Sequence, residues 1–136
     1  MNEITITIRQ VSDTTSEAEI RQHRVLIDRP EAKGGSDMGP MGGELFLSAV
    51  GGCFMSNLLA AMKARRVEMP GLHTRATGTL ADNAPARFTA VELCVTADNP
   101  DRETLEHLVE IADKGCIMMN TLRDKLDVRV RLAVHV

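Results

Sequence analysis

The chain has 136 residues, 43% hydrophobic and 26% charged, with a net charge of −3; that suffices for one domain, residues 1–136, with a sizeable core, and argues against disorder. Only 2% of residues are aromatic, with no Trp or Tyr, so the chain lacks the basic surface and stacking platforms that nucleic acid asks for. Three cysteines make no secreted disulfide scaffold, and the opening residues carry no signal peptide, so the cytosol is the expected, cytoplasmic location.

Ile4, Ile6 and Ile8 alternate with Thr5, Thr7 and Arg9, which predicts a half-buried strand over residues 3–9. The polar stretch Val11 to Glu19 reads as a turn or hairpin loop. A second strand is expected over about Ile20 to Asp28, with His23, Val25 and Ile27 on one face, paired with the first. Residues 30–43, PEAKGGSDMGPMGG, hold five of the ten glycines and no phosphate-loop signature. They read as a mobile connection or as a loop over the mouth of a site.

The centre of the chain is Gly42 to Arg66, GGELFLSAVGGCFMSNLLAAMKARR. It is uncharged from Leu45 to Met62, and its apolar residues cover the whole circumference, which predicts a helix buried on all sides. Its uncharged run reaches the lower limit for a membrane span. Ser48, Ser56, Asn57 and the neighbouring glycines, with flanks that read as amphipathic structure, argue against one, and no membrane association is expected. Lys63, Arg65 and Arg66 suit the negative end of the helix dipole, and Pro70 and Gly71 stop it.

Two strands follow, over about His73 to Leu80 and Phe88 to Ala97. Val91, Leu93 and Val95 line one face of the second, and Cys94 lies on the other as a strand residue without chemistry. Asn99 as cap and Pro100 as first helical residue open a surface helix with Leu105, Leu108, Val109 and Ala112 as its apolar stripe. Gly115 ends it. Cys116 then stands near the start of a short helix containing Met118, Met119 and Leu122, a position that can lower a thiol pKa. Asp127 to Val136 closes the chain as a strand. The order β-β-α-β-β-α-α-β with hairpin connections predicts an α+β fold with antiparallel sheets around a long buried helix. One small sheet cannot cover that helix on all sides, so a homodimer enclosing both long helices is expected.

Cys53 lies mid-helix behind Gly51 and Gly52, and Cys116 follows a glycine at a helix junction. No C-x-x-C joins them, and none of His23, His73, His107 or His135 lies within a few positions of a cysteine, so no metal and no cofactor is expected. Two uses remain for the pair. They can be buried small apolar residues, or a redox pair in which one thiolate is oxidised to sulfenic acid and the other resolves it to a disulfide.

GGSDMGPMGGELFLSAVGGCFMSNLLAAM resembles the first cysteine motif of the OsmC/Ohr family: a Gly-rich loop, a Gly-Pro and Glu-Leu, then an apolar helix to the cysteine. ADKGCIMMNTL resembles the second, a helix end, a cysteine and a short helix. The likeness spans most of the chain from about residue 20 onward. It implies an OsmC-like fold, an intertwined α+β homodimer, and thiol-dependent reduction of organic hydroperoxides. By motif, Cys53 would be the peroxidatic cysteine and Cys116 the resolving one. An external dithiol, lipoyl-linked in the organic-hydroperoxide branch, would restore the pair. Small apolar hydroperoxides with bulky tails are the expected substrates, taken in an apolar, Met-lined pocket.

Two positions depart from that pattern. The family's Glu, ten residues before the first cysteine, pairs with an Arg that holds the thiolate; here Gly43 stands there, and Glu44, nine residues before Cys53, would point about half a turn away. The Arg has no motif position, and Arg9, Arg24 and Arg29 are all open. Cys116 is followed by Ile117 rather than Pro. These departures place the chain in the less characterised OsmC-like branch. They support a second reading, a dimer that binds an apolar or thiol ligand, or senses redox state, without peroxidase turnover.

Overall fold

The computed structural model describes residues 2–133. They form two compact units that meet within the long helix, one running through Phe46 and the other from Leu47.

The first unit holds a three-stranded antiparallel sheet, β1 (Thr7–Gln10), β2 (Ser16–Ile20) and β3 (His23–Ile27), in that order. β2 lies where a loop was predicted, so β1 pairs with β2 and does not meet β3. The alternation in β2 is easy to overlook because its one buried residue is the small Ala18, 4% exposed. Its outward residues are carboxylates held from the neighbouring strands. Glu17 lies 2.7 Å from Arg9 and 2.8 Å from Arg24, and Glu19 lies 3.2 Å from each. Cross-strand pairing of opposite charges makes this polar segment a strand.

The Gly-rich connection is tied down. Asp28, 3% exposed, accepts from the Thr15 hydroxyl at 2.8 Å and from the backbone N–H of Arg29, Met38 and Ser36 at 2.7, 3.1 and 3.3 Å. A side chain on Gly35 would overlap the Arg29 carbonyl, and one on Gly39 the Leu26 carbonyl. The glycines therefore permit close backbone approach as the chain folds back on β3.

The long helix, α1, spans Gly42–Arg65, as its uncharged run and flanking stop signals predict. Glu44 in its first turn accepts from the N–H of Met41, the residue before the helix, at 2.9 Å, which is half of a capping box.

The second unit packs the rest of α1 against a mixed sheet of β4 (His73–Leu80), β5 (Phe88–Thr96) and β6 (Asp127–Leu132). Helix and strand advance in step. A Cβ on Gly78 would stand 3.1 Å from Leu47; a Cβ on Gly51 would stand 3.6 Å from Ala76; and Thr74 donates to Met55 Sδ at 3.0 Å. Each step of four residues on α1 matches two on β4, because about 6 Å of helix equals about 6.6 Å of strand. Val50, Phe54 and Leu58 are fully buried on this side with Val91, Leu93 and Val95.

α1 is nevertheless not covered all round. Ser48, Ala49, Gly52, Ser56, Leu59 and Ala60 are exposed, so within one chain only part of the apolar circumference is buried.

β4 and β5 are antiparallel, but β6 runs parallel to β5, where antiparallel sheets were predicted. A parallel neighbour needs a crossover. It is supplied by α2 (Arg102–Gly115) and α3 (Ile117–Leu122). α2 begins later than predicted. Asp101 is its cap, and Asn99 takes a left-handed φ of 44° in the preceding turn. Leu105, Leu108, Val109 and Ala112 are its buried stripe, as predicted. The end of the predicted last strand, residues 134–136, lies outside the described residues.

Candidate active site

The second unit brings Cys53 and Cys116 together. α1 carries Cys53, half-buried, and Cys116 is the cap residue between α2 and α3, with no exposed surface. Both are free thiols, and each acts on the ionisation of the other. The Cys116 sulfur also accepts from the Met119 N–H at 3.5 Å.

Their surroundings drive them in opposite directions. Burial pushes the Cys53 thiol up, but the Met118 N–H, the Cys116 thiol and the Ile117 N–H bond its sulfur and more than reverse this. Its pKa therefore lies below the ordinary thiol value. Hydrogen bonds to the charged form favour that form. Cys116 is raised, chiefly by its burial; the Met119 and Met118 amides oppose this, while the hydrogen bond and charge of Cys53 add to it. The short helix was expected to lower the pKa of Cys116. Its first N–H groups act on both sulfurs, and at Cys116 burial outweighs them.

None of the groups lowering the Cys53 pKa is a cation. Of the arginines suggested by the sequence, Arg9 and Arg24 are paired with Glu17 and Glu19 in the first unit. Glu44 is engaged with Met41. The amides of Ile117 and Met118 were not foreseen. The signal was present, since a helix predicted to start just after Cys116 must begin with unpaired N–H groups.

Cys94, the third thiol, is buried in β5 opposite Arg75 and Arg131. His23 and His73 lie in strands and His107 in α2, as predicted; His135 lies outside the described residues. Among the described residues no three His, Cys, Asp or Glu side chains cluster as metal ligands. A cavity of about 550 Å³ is lined by residues including Asp98, Pro100, Leu105 and Leu132, and neither Cys53 nor Cys116 borders it.

Residues 34–131 match the family described as OsmC-like protein. Among solved structures, the chain superposes on a hypothetical protein from Aquifex aeolicus VF5 with a TM-score of 0.82 at 15% identity, covering 99% of this chain and 98% of that one. An OsmC-like protein from Mycoplasma pneumoniae gives 0.80 at 20% identity over 98% and 99% of the two chains. The organic hydroperoxide resistance protein OhrB of Bacillus subtilis gives 0.72 at 21% identity over 97% and 98%. No curated protein matches the chain.

Proposed function

Because the chain belongs to the OsmC-like protein family, we propose that it is a cytoplasmic thiol peroxidase that reduces organic hydroperoxides through Cys53 and Cys116. The observation that carries this reading is the meeting of two thiols, one half-buried and acidified, the other fully buried and raised. Only a thiolate is a good nucleophile, which makes Cys53 the attacking residue and Cys116 the resolving one.

In the first step the Cys53 thiolate attacks the outer oxygen of ROOH. The O–O bond breaks, the alkoxide leaves and takes a proton to become ROH, and sulfur keeps one oxygen as sulfenic acid. The Cys116 thiol then attacks that sulfur and the oxygen leaves as water, giving a Cys53–Cys116 disulfide. An external dithiol, lipoyl-linked by analogy with the organic-hydroperoxide branch, reduces the disulfide by exchange and is itself oxidised. The amides of Met118 and Ile117 take the place of the family's Arg, as fixed donors to the thiolate.

The working unit is a homodimer. The uncovered part of α1, and Ile4, Ile6 and Ile8, which are 93%, 45% and 57% exposed, form apolar surface that a second copy would bury.

The test is one equivalent of cumene hydroperoxide, or separately hydrogen peroxide, added to reduced protein, with non-reducing peptide mapping. A rapid Cys53–Cys116 disulfide, faster with the organic peroxide, is expected. Thiols that stay reduced, or a Cys94 that reacts as readily, would leave the second reading, a dimer that binds an apolar or thiol ligand or senses redox state. The absence of a cation among the groups acting on Cys53 is the observation favouring it.

A further inference from the structure

Asn57, half-buried, lies in the middle of α1, one turn beyond Cys53. Asparagine is a weak helix former, because its amide competes for backbone partners. Here Nδ2 donates to the Cys53 carbonyl at 3.0 Å, a bond to the i−4 carbonyl that fixes the side chain along the helix. The other side of the same amide meets the end of α2. A Cβ on Gly115 would stand 3.4 Å from Asn57 Oδ1 and 3.8 Å from its Cγ.

Gly115 is the last residue of α2 and the one before Cys116. It is not among the residues with positive φ, so glycine is not required there by a left-handed turn. What is restricted is space. A methyl group would make ordinary contact with the Asn57 amide, and a longer side chain would displace it. One side chain is thus bonded to the residue carrying one thiol and seated against the residue preceding the other.

We infer that Asn57 is a positioning residue, a spacer that sets the separation of α1 from the α2–α3 junction so that the Cys53 and Cys116 sulfurs meet. The inference rests on the redox-pair reading of these two thiols. Removing the amide leaves Cys53 and Cys116 chemically intact but loosens their juxtaposition. The effect is on the effective concentration of one thiol at the other, a quantity very sensitive to misplacement.

The experiment compares wild type, Asn57→Ala and Gly115→Ala in glutathione redox buffers, reading the fraction of Cys53–Cys116 disulfide by peptide mapping. It is then repeated with cumene hydroperoxide. Alanine is the best helix former, so Asn57→Ala keeps α1; Gly115→Ala keeps Asn57 in place and serves as the control. Asn57→Ala is expected to lower the effective concentration of the pair at least about tenfold, and Gly115→Ala to stay within about twofold of wild type. An Asn57→Ala value within twofold of wild type would overturn the inference. A wild-type disulfide that forms in redox buffer but not with peroxide, with the Asn57→Ala shift present, sinks the peroxidase reading and supports the spacer. No Cys53–Cys116 disulfide under either condition overturns both.

Discussion

The Cys53 and Cys116 sulfurs share one hydrogen-bonding environment and are pushed to opposite sides of the ordinary thiol pKa. Cys53 receives the first amides of α3 across the junction, whereas Cys116 is buried and stands beside a sulfur that carries charge once Cys53 ionises. As pH rises, Cys53 therefore ionises before Cys116. Alkylation by iodoacetamide, resolved by peptide mass spectrometry, should therefore show Cys53 reacting at lower pH. At neutral pH it should react about tenfold faster than Cys116 or more, because only the thiolate reacts and Cys116 is also enclosed. The opposite order would remove Cys53 from the nucleophile's role.

Ile117 occupies the first helical position of α3, where proline is well tolerated because its missing N–H would be unpaired anyway. Here that N–H is used, on the Cys53 sulfur. Ile117→Pro should keep the fold and lose one donor to the thiolate. Because a donor to the charged form favours that form, its loss should raise the Cys53 pKa and slow alkylation at neutral pH. The measurement is the pH profile of that alkylation, with circular dichroism to show that the helices persist. A profile unchanged from wild type would show that the Ile117 amide contributes nothing.

The long helix could be read because its uncharged run and its flanking glycines, cations and proline agree. The meeting of Cys53 with Cys116 came through the motif resemblance, since nothing in the spacing joins them. The donors of Ile117 and Met118 are backbone atoms; the predicted helix start after Cys116 implied unpaired N–H groups there, but not that Cys53 would face them. β2 was hidden because ion pairs of Glu17 and Glu19 hold a strand whose one buried residue is a small alanine. The direction of β6 was hidden because alternation gives a strand and a face but says nothing of pairing.

Asp28 predicts an acid-sensitive loop. Its pKa is lowered from 3.8 to about 2: burial raises it, but the amides of Arg29 and Met38 and the hydroxyls of Thr15 and Thr14 outweigh that. A carboxylate with a depressed folded pKa contributes stability above its unfolded value and loses it as pH falls through the folded one. The loop over residues 29–40 should hold down to about pH 4 and loosen between there and pH 2, as seen by hydrogen exchange of the Ser36 and Met38 amides. Asn at position 28 keeps the shape but not the charge. Asp28→Asn should exchange those amides about tenfold faster at neutral pH and show no further loosening in that window. Equal protection in both proteins would show that the carboxylate does not hold the loop.

Phe54 is fully buried where α1 lies on the second sheet. Phe54→Ala removes most of a ring from a packed interior, and such changes cost about 3–5 kcal/mol. Urea denaturation should show a loss of that size. A loss below about 1 kcal/mol would mean that α1 does not rest on this face.

Gly52 tests the dimer without disturbing the protomer. It lies on the uncovered part of α1, and a Cβ added there meets nothing within 4 Å. Any larger residue is therefore free to project from a single chain, and leaving glycine behind favours the helix by roughly 0.5–1 kcal/mol. If a second copy packs on this stripe, Gly52→Arg places a cation in an apolar contact, where an unpaired charge is strongly unfavourable. Sedimentation at micromolar concentration should then show a dimer for wild type and a monomer for the variant, with unchanged helix content. A variant that remains a dimer of the same stability would rule this stripe out as the contact, and the apolar surface of α1 would need another partner.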